Sequence, residues 1–448
     1  MAHTAPQALL SLEEKIKTKK LKTGVIGLGY VGLPLAVEFA KEGVQVYGID
    51  IDQRKVSNIQ KGISYIQDVP SDVLKNLVGA EPPRPGAETA PLRATSNFSV
   101  IKELDTVNIC VPTPLGKSKD PDISYIVAAA EEIVRYLHEG MLIILESTTY
   151  PGTTEEVILP MLEKTGLKVG KDFYLAFSPE RVDPGNSKYN TRNIPKIVGG
   201  VTQKCTELAQ SFYKIAIEQV NTVSSPRAAE MVKLLENTFR SVNIGLVNEL
   251  CQMSEKLGVN VWEIIDAAAT KPFGFMPFYP GPGLGGHCIP IDPHYLAWKA
   301  RIHGFNPRFI DLAGEVNSSM PEFVVQKAQT ALNERKKALN GSKILILGIA
   351  YKKNVSDYRE SPALEIIELL EKNGVDISYS DPFVPEFSFL GKIRKSIPLE
   401  PLRSNFDLVI LITDHDHFDP QSLLNQFPLI LDTRNAFRGI QSEKVIRI

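Results

Sequence analysis

Two passages with the same order, an apolar strand, a glycine turn, a helix and a second strand ending in aspartate, predict an α/β protein. The expected fold is two doubly wound parallel-sheet domains joined by a long central helix. The first passage runs from Thr23 to Asp50 and the second from Lys343 to Asp381. Between them, Pro226 through Leu257 places apolar residues at helical spacing with few breakers, as a connecting helix requires.

The bounds set by composition agree. A chain of 448 residues is long enough for two or three domains, each with its own core. A formal charge of −2, with both signs interspersed, gives no reason to expect a nucleic-acid or membrane-surface partner. The four cysteines, at 110, 205, 251 and 288, have neither metal-site spacing nor the density of a disulfide framework. No metal is expected, and a reducing, cytoplasmic setting is. The first 22 residues lack an apolar stretch of signal-peptide length, and Leu9, Leu10, Leu12 and Ile16 suggest a short amphipathic extension. The expected division is an extension at 1–22, a dinucleotide-binding domain at 23–222, a central helical domain at 223–340 and a second α/β domain at 341–448.

In the first passage the strand runs into Gly27-Leu28-Gly29-Tyr30-Val31-Gly32. Gly27 suits the tight turn, Gly29 a close pyrophosphate and Gly32 close helix packing, which is the Rossmann fingerprint; Tyr30 and Val31 lie against the same ligand. The helix start then offers N–H groups to phosphates. Asp50 ends the second strand, where its carboxylate can bind a ribose 2′-hydroxyl and repel a 2′-phosphate, so NAD is expected over NADP. Lys55 reads either as an adenosine contact or as a solvated charge.

Further strands end before Thr113 and Thr148, which either reach cofactor or substrate or cap the following helices. Another, Asp172 to Phe177, precedes Ser178-Pro179-Glu180-Arg181, making Glu180 a candidate general base or a salt-bridge partner. On the connecting helix Glu230, Lys233 and Asn237 fall at i, i+3 and i+7 and share one face. An inward lysine must be paired or used, so Lys233 reads as an ion pair with Glu230 or as an oxyanion stabiliser. Beyond a short helix, Phe273, Phe275, Phe278 and Tyr279 lead into Pro280-Gly281-Pro282-Gly283-Leu284-Gly285-Gly286-His287-Cys288-Ile289-Pro290-Ile291-Asp292-Pro293. Glycine and proline together make this a rigid, irregular loop, and Cys288 within it is either a nucleophile or a small buried residue. The second passage lacks two of the glycines and carries Lys352, Lys353, Asp357 and Arg359 in its turn, a set suited to nucleotide phosphates or ribose.

Taken together, Gly27-x-Gly29-x-x-Gly32, Ser147-Thr148, Ser178-Pro179-Glu180, Lys233 with Asn237, Gly285-Gly286-His287-Cys288 with Asp292, and Lys352 through Arg359 resemble the nucleotide-sugar 6-dehydrogenases. These are the UDP-glucose and UDP-N-acetylhexosamine dehydrogenases. Within that family the loop, with Phe273-Gly274-Phe275-Met276 before it and Ile291 where UDP-glucose enzymes usually carry lysine, looks most like UDP-N-acetylglucosamine 6-dehydrogenases of bacterial surface-polysaccharide pathways. The resemblance implies a four-electron oxidation of the sugar C6 alcohol with NAD, through a thiohemiacetal and a thioester on Cys288. It implies Lys233 as oxyanion stabiliser and Glu180 as base in hydrolysis, with Thr148, Asn237 and Asp292 positioning water or assisting proton transfer. Glu180, Arg181, Lys233, Asn237, Phe278, Tyr279, Gly285 and Lys352 would meet the UDP-sugar. Gly27, Gly29, Tyr30, Val31, Gly32, Asp50, Lys55, Thr113, Thr148 and Arg359 would meet NAD. A homodimer or larger homo-oligomer, formed on the long helix, is implied as well. Other UDP-hexoses remain alternative substrates. A two-electron dehydrogenase of the hydroxyacid type, or a non-catalytic nucleotide-sugar-binding protein, are the rival readings of the same residues.

Overall fold

The computed structural model describes residues 10–66, 68–79, 90–116, 120–183, 186, 188–286, 289–399 and 405–448. Two compact units divide the chain, Met1–Leu235 and Glu236–Ile448, with the helix Pro226–Leu257 running through the boundary.

The first unit carries strands β1 (Lys22–Ile26), β2 (Gln45–Ile49), β3 (Leu92–Thr95), β4 (Thr106–Ile109), β5 (Leu142–Leu145), β6 (Tyr174–Phe177), β7 (Lys196–Gly200) and β8 (Val220–Thr222). They form one sheet in the order β3-β2-β1-β4-β5-β6-β7-β8. Every residue of β4 and β5 is buried, which is why both read as unbroken apolar runs rather than alternating ones. One face packs on Phe39, Phe212 and Tyr213, with the rings of Phe39 and Phe212 stacked at 4.4 Å. The other packs on Ile133, Leu162 and Phe173. Because β4 adds on the opposite side of β1 from β2, the order reverses at β1, and the β1 and β4 ends open a crevice there.

The doubly wound α/β class is as expected, with one departure in detail: β7 runs antiparallel to β6. The described residues between Ser178 and Pro195 form no crossover helix, and β7 returns alongside β6. The capped helix Leu12–Lys17, with Ser11 and Glu14 in a reciprocal capping box and Ile16 buried, realises the amphipathic extension over the described residues.

In the second unit, β9 (Lys343–Leu347), β10 (Asp376–Ser380), β13 (Leu408–Leu411), β14 (Ile430–Asp432) and β15 (Val445–Arg447) form a parallel sheet in the order β10-β9-β13-β14-β15. A separate hairpin, β11 (Glu386–Phe389) with β12 (Lys392–Lys395), lies between β10 and β13 in sequence. Alternation along β9 divides its neighbours: Ile344 and Ile346 pack with Val324, Ala328 and Ile366, whereas Leu345 and Leu347 pack with Leu423, Leu424 and Phe427. A strand buried on both faces in this way tolerates little loss of volume. Ile346→Ala should lower stability by about 2–5 kcal/mol, read as a drop in the denaturation midpoint. Lys343→Ala, at the exposed start of the same strand, should change it by less than about 0.5 kcal/mol.

Candidate functional site

The turn after β1 is fixed by sterics. Gly27 has φ +93°, and a Cβ there would come to 2.5 Å from the carbonyl oxygen of Cys110, while a Cβ on Gly32 would overlap the carbonyl oxygen of Gly27. Gly29 is different: nothing lies within 4 Å of where its Cβ would be, so its backbone faces open space. The helix Gly32–Lys41 starts at Val31 without a side-chain cap, and Leu33 N–H turns back to the Gly29 carbonyl at 3.1 Å. Asp50, 5% exposed, accepts from Leu28 N–H at 2.8 Å and from Asp52 N–H at 2.9 Å, and Lys55 Nζ lies 2.9 Å from its Oδ2. Lys55 is thus neither solvated nor free, but an ion-pair partner of the carboxylate. A carboxylate offers about four lone-pair sites, so one remains for a ribose hydroxyl. The geometry fits NAD. Tyr30 is exposed beside the turn, and Val31, Thr113 and Thr148 are half-buried.

Glu180 follows β6 and is 7% exposed. Its Oε1 accepts from the N–H groups of Arg181 at 2.7 Å and Val182 at 2.8 Å, and its Oε2 faces Lys196 Nζ at 3.3 Å. Burial alone would push this carboxyl up, but Lys196, the two backbone donors and Lys233 outweigh it and hold the group below the usual carboxylate range. Lys233 Nζ donates to the backbone carbonyl of Glu180 at 2.7 Å. The ion pair between Lys233 and Glu230 does not form. Glu230 instead accepts from the N–H of Gly152 and from the N–H and hydroxyl of Thr154, and burial pushes its carboxyl up. Lys196 and Glu146, 2.7 Å apart, were not anticipated. Their only sequence signal is a single charge just after one apolar strand and a single charge opening another.

In the second unit Asn237 Nδ2 donates to buried Asp292, and the guanidinium of Arg240 also reaches Asn237. The glycine loop is anchored at its start, where Gly281 N–H donates to Asn248 and Asn248 donates to Asn317. A Cβ on Gly285 or Gly286 would come to 2.8 Å from Tyr351, so these two glycines let the loop lie on that ring. Gly281 packs likewise on the Arg434 guanidinium, whose Nε donates to the carbonyl of Ile412. Phe278 meets Phe239 edge-on at 5.7 Å, and Tyr279 stacks on Trp262 at 5.8 Å while donating to Asp266. His287 and Cys288 lie outside the described residues.

The turn after β9 is likewise held by an aspartate at the end of β10. Asp381 accepts from the N–H groups of Ile349 at 2.7 Å and Ala350 at 3.0 Å, and from His415 Nε2 at 3.1 Å. Arg359 makes a two-pronged pair with Asp357 at 2.8 and 2.6 Å, Lys353 pairs with Asp416 at 2.7 Å, and Lys352 is half-buried.

Three family models match in succession: the NAD binding domain of the UDP-glucose/GDP-mannose dehydrogenase family over residues 21–217, its central domain over 227–319 and its UDP binding domain over 345–439. The chain belongs to that family. The dehydrogenase is 35% identical over 402 residues to a UDP-N-acetyl-D-glucosamine 6-dehydrogenase of Pseudomonas aeruginosa, covering 89% of this chain and 92% of that one. It is 36% identical over 407 residues to a UDP-N-acetyl-D-mannosamine dehydrogenase of Methanococcus maripaludis, covering 89% and 87%. The solved UDP-D-ManNAc dehydrogenase of Pyrococcus horikoshii superposes with a TM-score of 0.86 at 34% identity, covering 96% of this chain and 99% of that one. NAD is the cofactor and the glycine turn belongs to the NAD binding domain. Among the described residues no group of three or more His, Cys, Asp or Glu could hold a metal, and no helix is long and apolar enough to cross a membrane.

Asp50 is the residue on which NAD recognition can be tested. Asp50→Ala removes a charged acceptor and releases Leu28 N–H, so the Kd for NADH, measured by fluorescence titration, should rise about 10–100-fold at roughly 1.5–3 kcal/mol per charged hydrogen bond. The preference over NADPH should shrink in the same titration.

Proposed function

We propose that the dehydrogenase oxidises the C6 alcohol of UDP-N-acetylglucosamine to the carboxylate in the cytoplasm. That change removes four electrons as two hydrides and adds the oxygen of one water. The glycine turn and Asp50 would hold NAD, which would supply the hydride acceptor for each oxidation. Lys233 stabilises the oxyanions, where one well-aimed donor contributes about 3–4 kcal/mol. Cys288 adds to the aldehyde carbon as thiolate to give a thiohemiacetal, which the second oxidation converts to a thioester, and it leaves when water hydrolyses that thioester. Glu180 takes the proton of that water, while Thr148, Asn237 and Asp292 place it. Arg181, Phe278, Tyr279, Gly285 and Lys352 meet the UDP-sugar, and Tyr30, Val31, Lys55, Thr113 and Arg359 contribute to holding NAD.

The observation that carries this reading is the Lys233 ammonium 2.7 Å from the backbone of Glu180, an acid held ionised inside an NAD binding domain. The N-acetylglucosamine preference rests on the Gly285 to Ile291 loop sequence and on the Pseudomonas relative. UDP-N-acetylmannosamine is the second reading, favoured by the relatives and the solved structure named for that substrate. A homodimer is part of the proposal: Met231, Leu235, Phe239, Leu246, Met253 and Leu257 are exposed along one helix, more apolar surface than a solvated helix needs.

Under excess NAD, limiting UDP-N-acetylglucosamine should yield two NADH per sugar, with UDP-N-acetylmannosamine, UDP-N-acetylgalactosamine and UDP-glucose turned over more slowly. Cys288→Ser should lose turnover by roughly 10³-fold or more while still binding NADH. One NADH per sugar, or an active serine variant, would instead identify a two-electron enzyme.

A further inference from the structure

We infer that Lys196 is a positioning residue for hydrolysis, aiming Oε2 of Glu180 as the oxygen that accepts the proton of water. The inference rests on the reading of Glu180 as the base. Lys196 opens β7 with its side chain only 5% exposed, its Nζ 2.7 Å from Glu146 Oε2, 3.3 Å from Glu180 Oε2 and 4.9 Å from the centre of the Tyr213 ring. Glu146, fully buried just after β5, is already supplied by two neutral donors at its other oxygen, Asn108 Nδ2 at 2.6 Å and Tyr213 O–H at 2.7 Å. An ammonium bridging from there to Glu180 is costly to bury, and an apolar replacement for a buried ion cluster is often no less stable. A role in stability alone therefore accounts poorly for it.

The two oxygens of Glu180 are not equivalent. Oε1 takes two backbone N–H groups, whereas Oε2 takes Lys196. With about two lone-pair sites on each oxygen, Oε2 keeps one for water. Glu180 faces Lys196 from β7, Lys233 from the long helix and Cys110 from the end of β4, and Lys196 in turn faces Glu146 from the end of β5 and Tyr213 from the helix Gln203–Tyr213. Burial, then Glu146, pushes both the Cys110 thiol and the Tyr213 phenol up, so neither is charged near neutral pH. Burial opposes the charge on Lys196, but Glu146 and Glu180 together push its ammonium up, so it stays protonated. In the step itself, water oxygen bonds to the thioester carbonyl carbon, the carbon–sulfur bond breaks, Cys288 leaves as thiolate and the water proton passes to Glu180 Oε2.

The test follows loss of the Cys288 acyl adduct by quenched-flow intact mass between pH 5 and 9. In the wild type hydrolysis should have no acidic limb above about pH 5, because Glu180 is already ionised there. In Lys196→Met two NADH should still form per site, the adduct should accumulate and an acidic limb should appear about 1–3 units higher. Lys196→Arg should return that limb toward the wild-type position. A Lys196→Met rate lowered by one factor at every pH, or a limb that Lys196→Arg leaves displaced, overturns the inference while sparing Glu180. Should the methionine variant not fold, a wild-type limb near pH 6 that moves in Glu180→Asp overturns it equally. Adduct loss at the wild-type rate in Glu180→Gln removes the base reading, and Lys196 with it.

Discussion

A carboxylate at the end of the second strand holds the turn after the first strand in both α/β units, and the ligand chemistry of each follows from how much of that carboxylate remains. Asp50 secures Leu28 N–H and Asp381 secures the N–H groups of Ile349 and Ala350. A short turn that must leave a sheet edge and enter a helix strands its own backbone donors, and a buried donor without an acceptor costs about 1–3 kcal/mol. Asp50 meets that demand and keeps capacity for a ribose. Asp381 does not: its Oδ1 takes Phe383 and Val384 N–H and its Oδ2 takes His415 as well. The second unit therefore retains the fold of a dinucleotide site with the ribose acceptor closed.

The same accounting explains the charge cluster beneath β5 and β6. Carboxylates placed at the carboxyl ends of parallel strands are useful because substrate lies there, yet two of them inside one sheet repel each other across a low-dielectric interior. Lys196 resolves the conflict between Glu146 and Glu180, and it can do so because β7 enters antiparallel to β6. A helical crossover would have started the next strand at the far edge of the sheet. The reversed strand brings the residue at its start to the charged end.

Legibility in the sequence followed the range of the interaction. Gly27, Gly29, Gly32 and Asp50 were readable because a local turn and one strand repeat dictate their spacing, and the β4, β5, β9 and β13 runs because burial on both faces leaves no alternation. The antiparallel β7 was not readable, since Lys196-Ile197-Val198 has the same composition in either direction. Helical periodicity placed Glu230 and Lys233 on one face, but of the two readings it left open the ion pair between them fails, because each finds another partner. The packing of Gly285 and Gly286 against the Tyr351 side chain was not readable either. No local pattern contains that contact.

Glu230 and Lys233 together make the register of the long helix a chemical constraint on the site. Glu230 is fully buried and accepts from the Gly152 and Thr154 donors of the turn after β5, and Lys233, nearly one turn later, donates to the Glu180 carbonyl after β6. A slip of one residue rotates the helix by about 100°, which would leave a buried carboxylate without its donors, the turn after β5 with unpaired N–H groups and the turn after β6 with an unpaired carbonyl. Neither contact tolerates a shift, and they are spaced as the ends of neighbouring strands are spaced. The ammonium that the proposed chemistry needs is thus positioned by a carboxylate with no part in it.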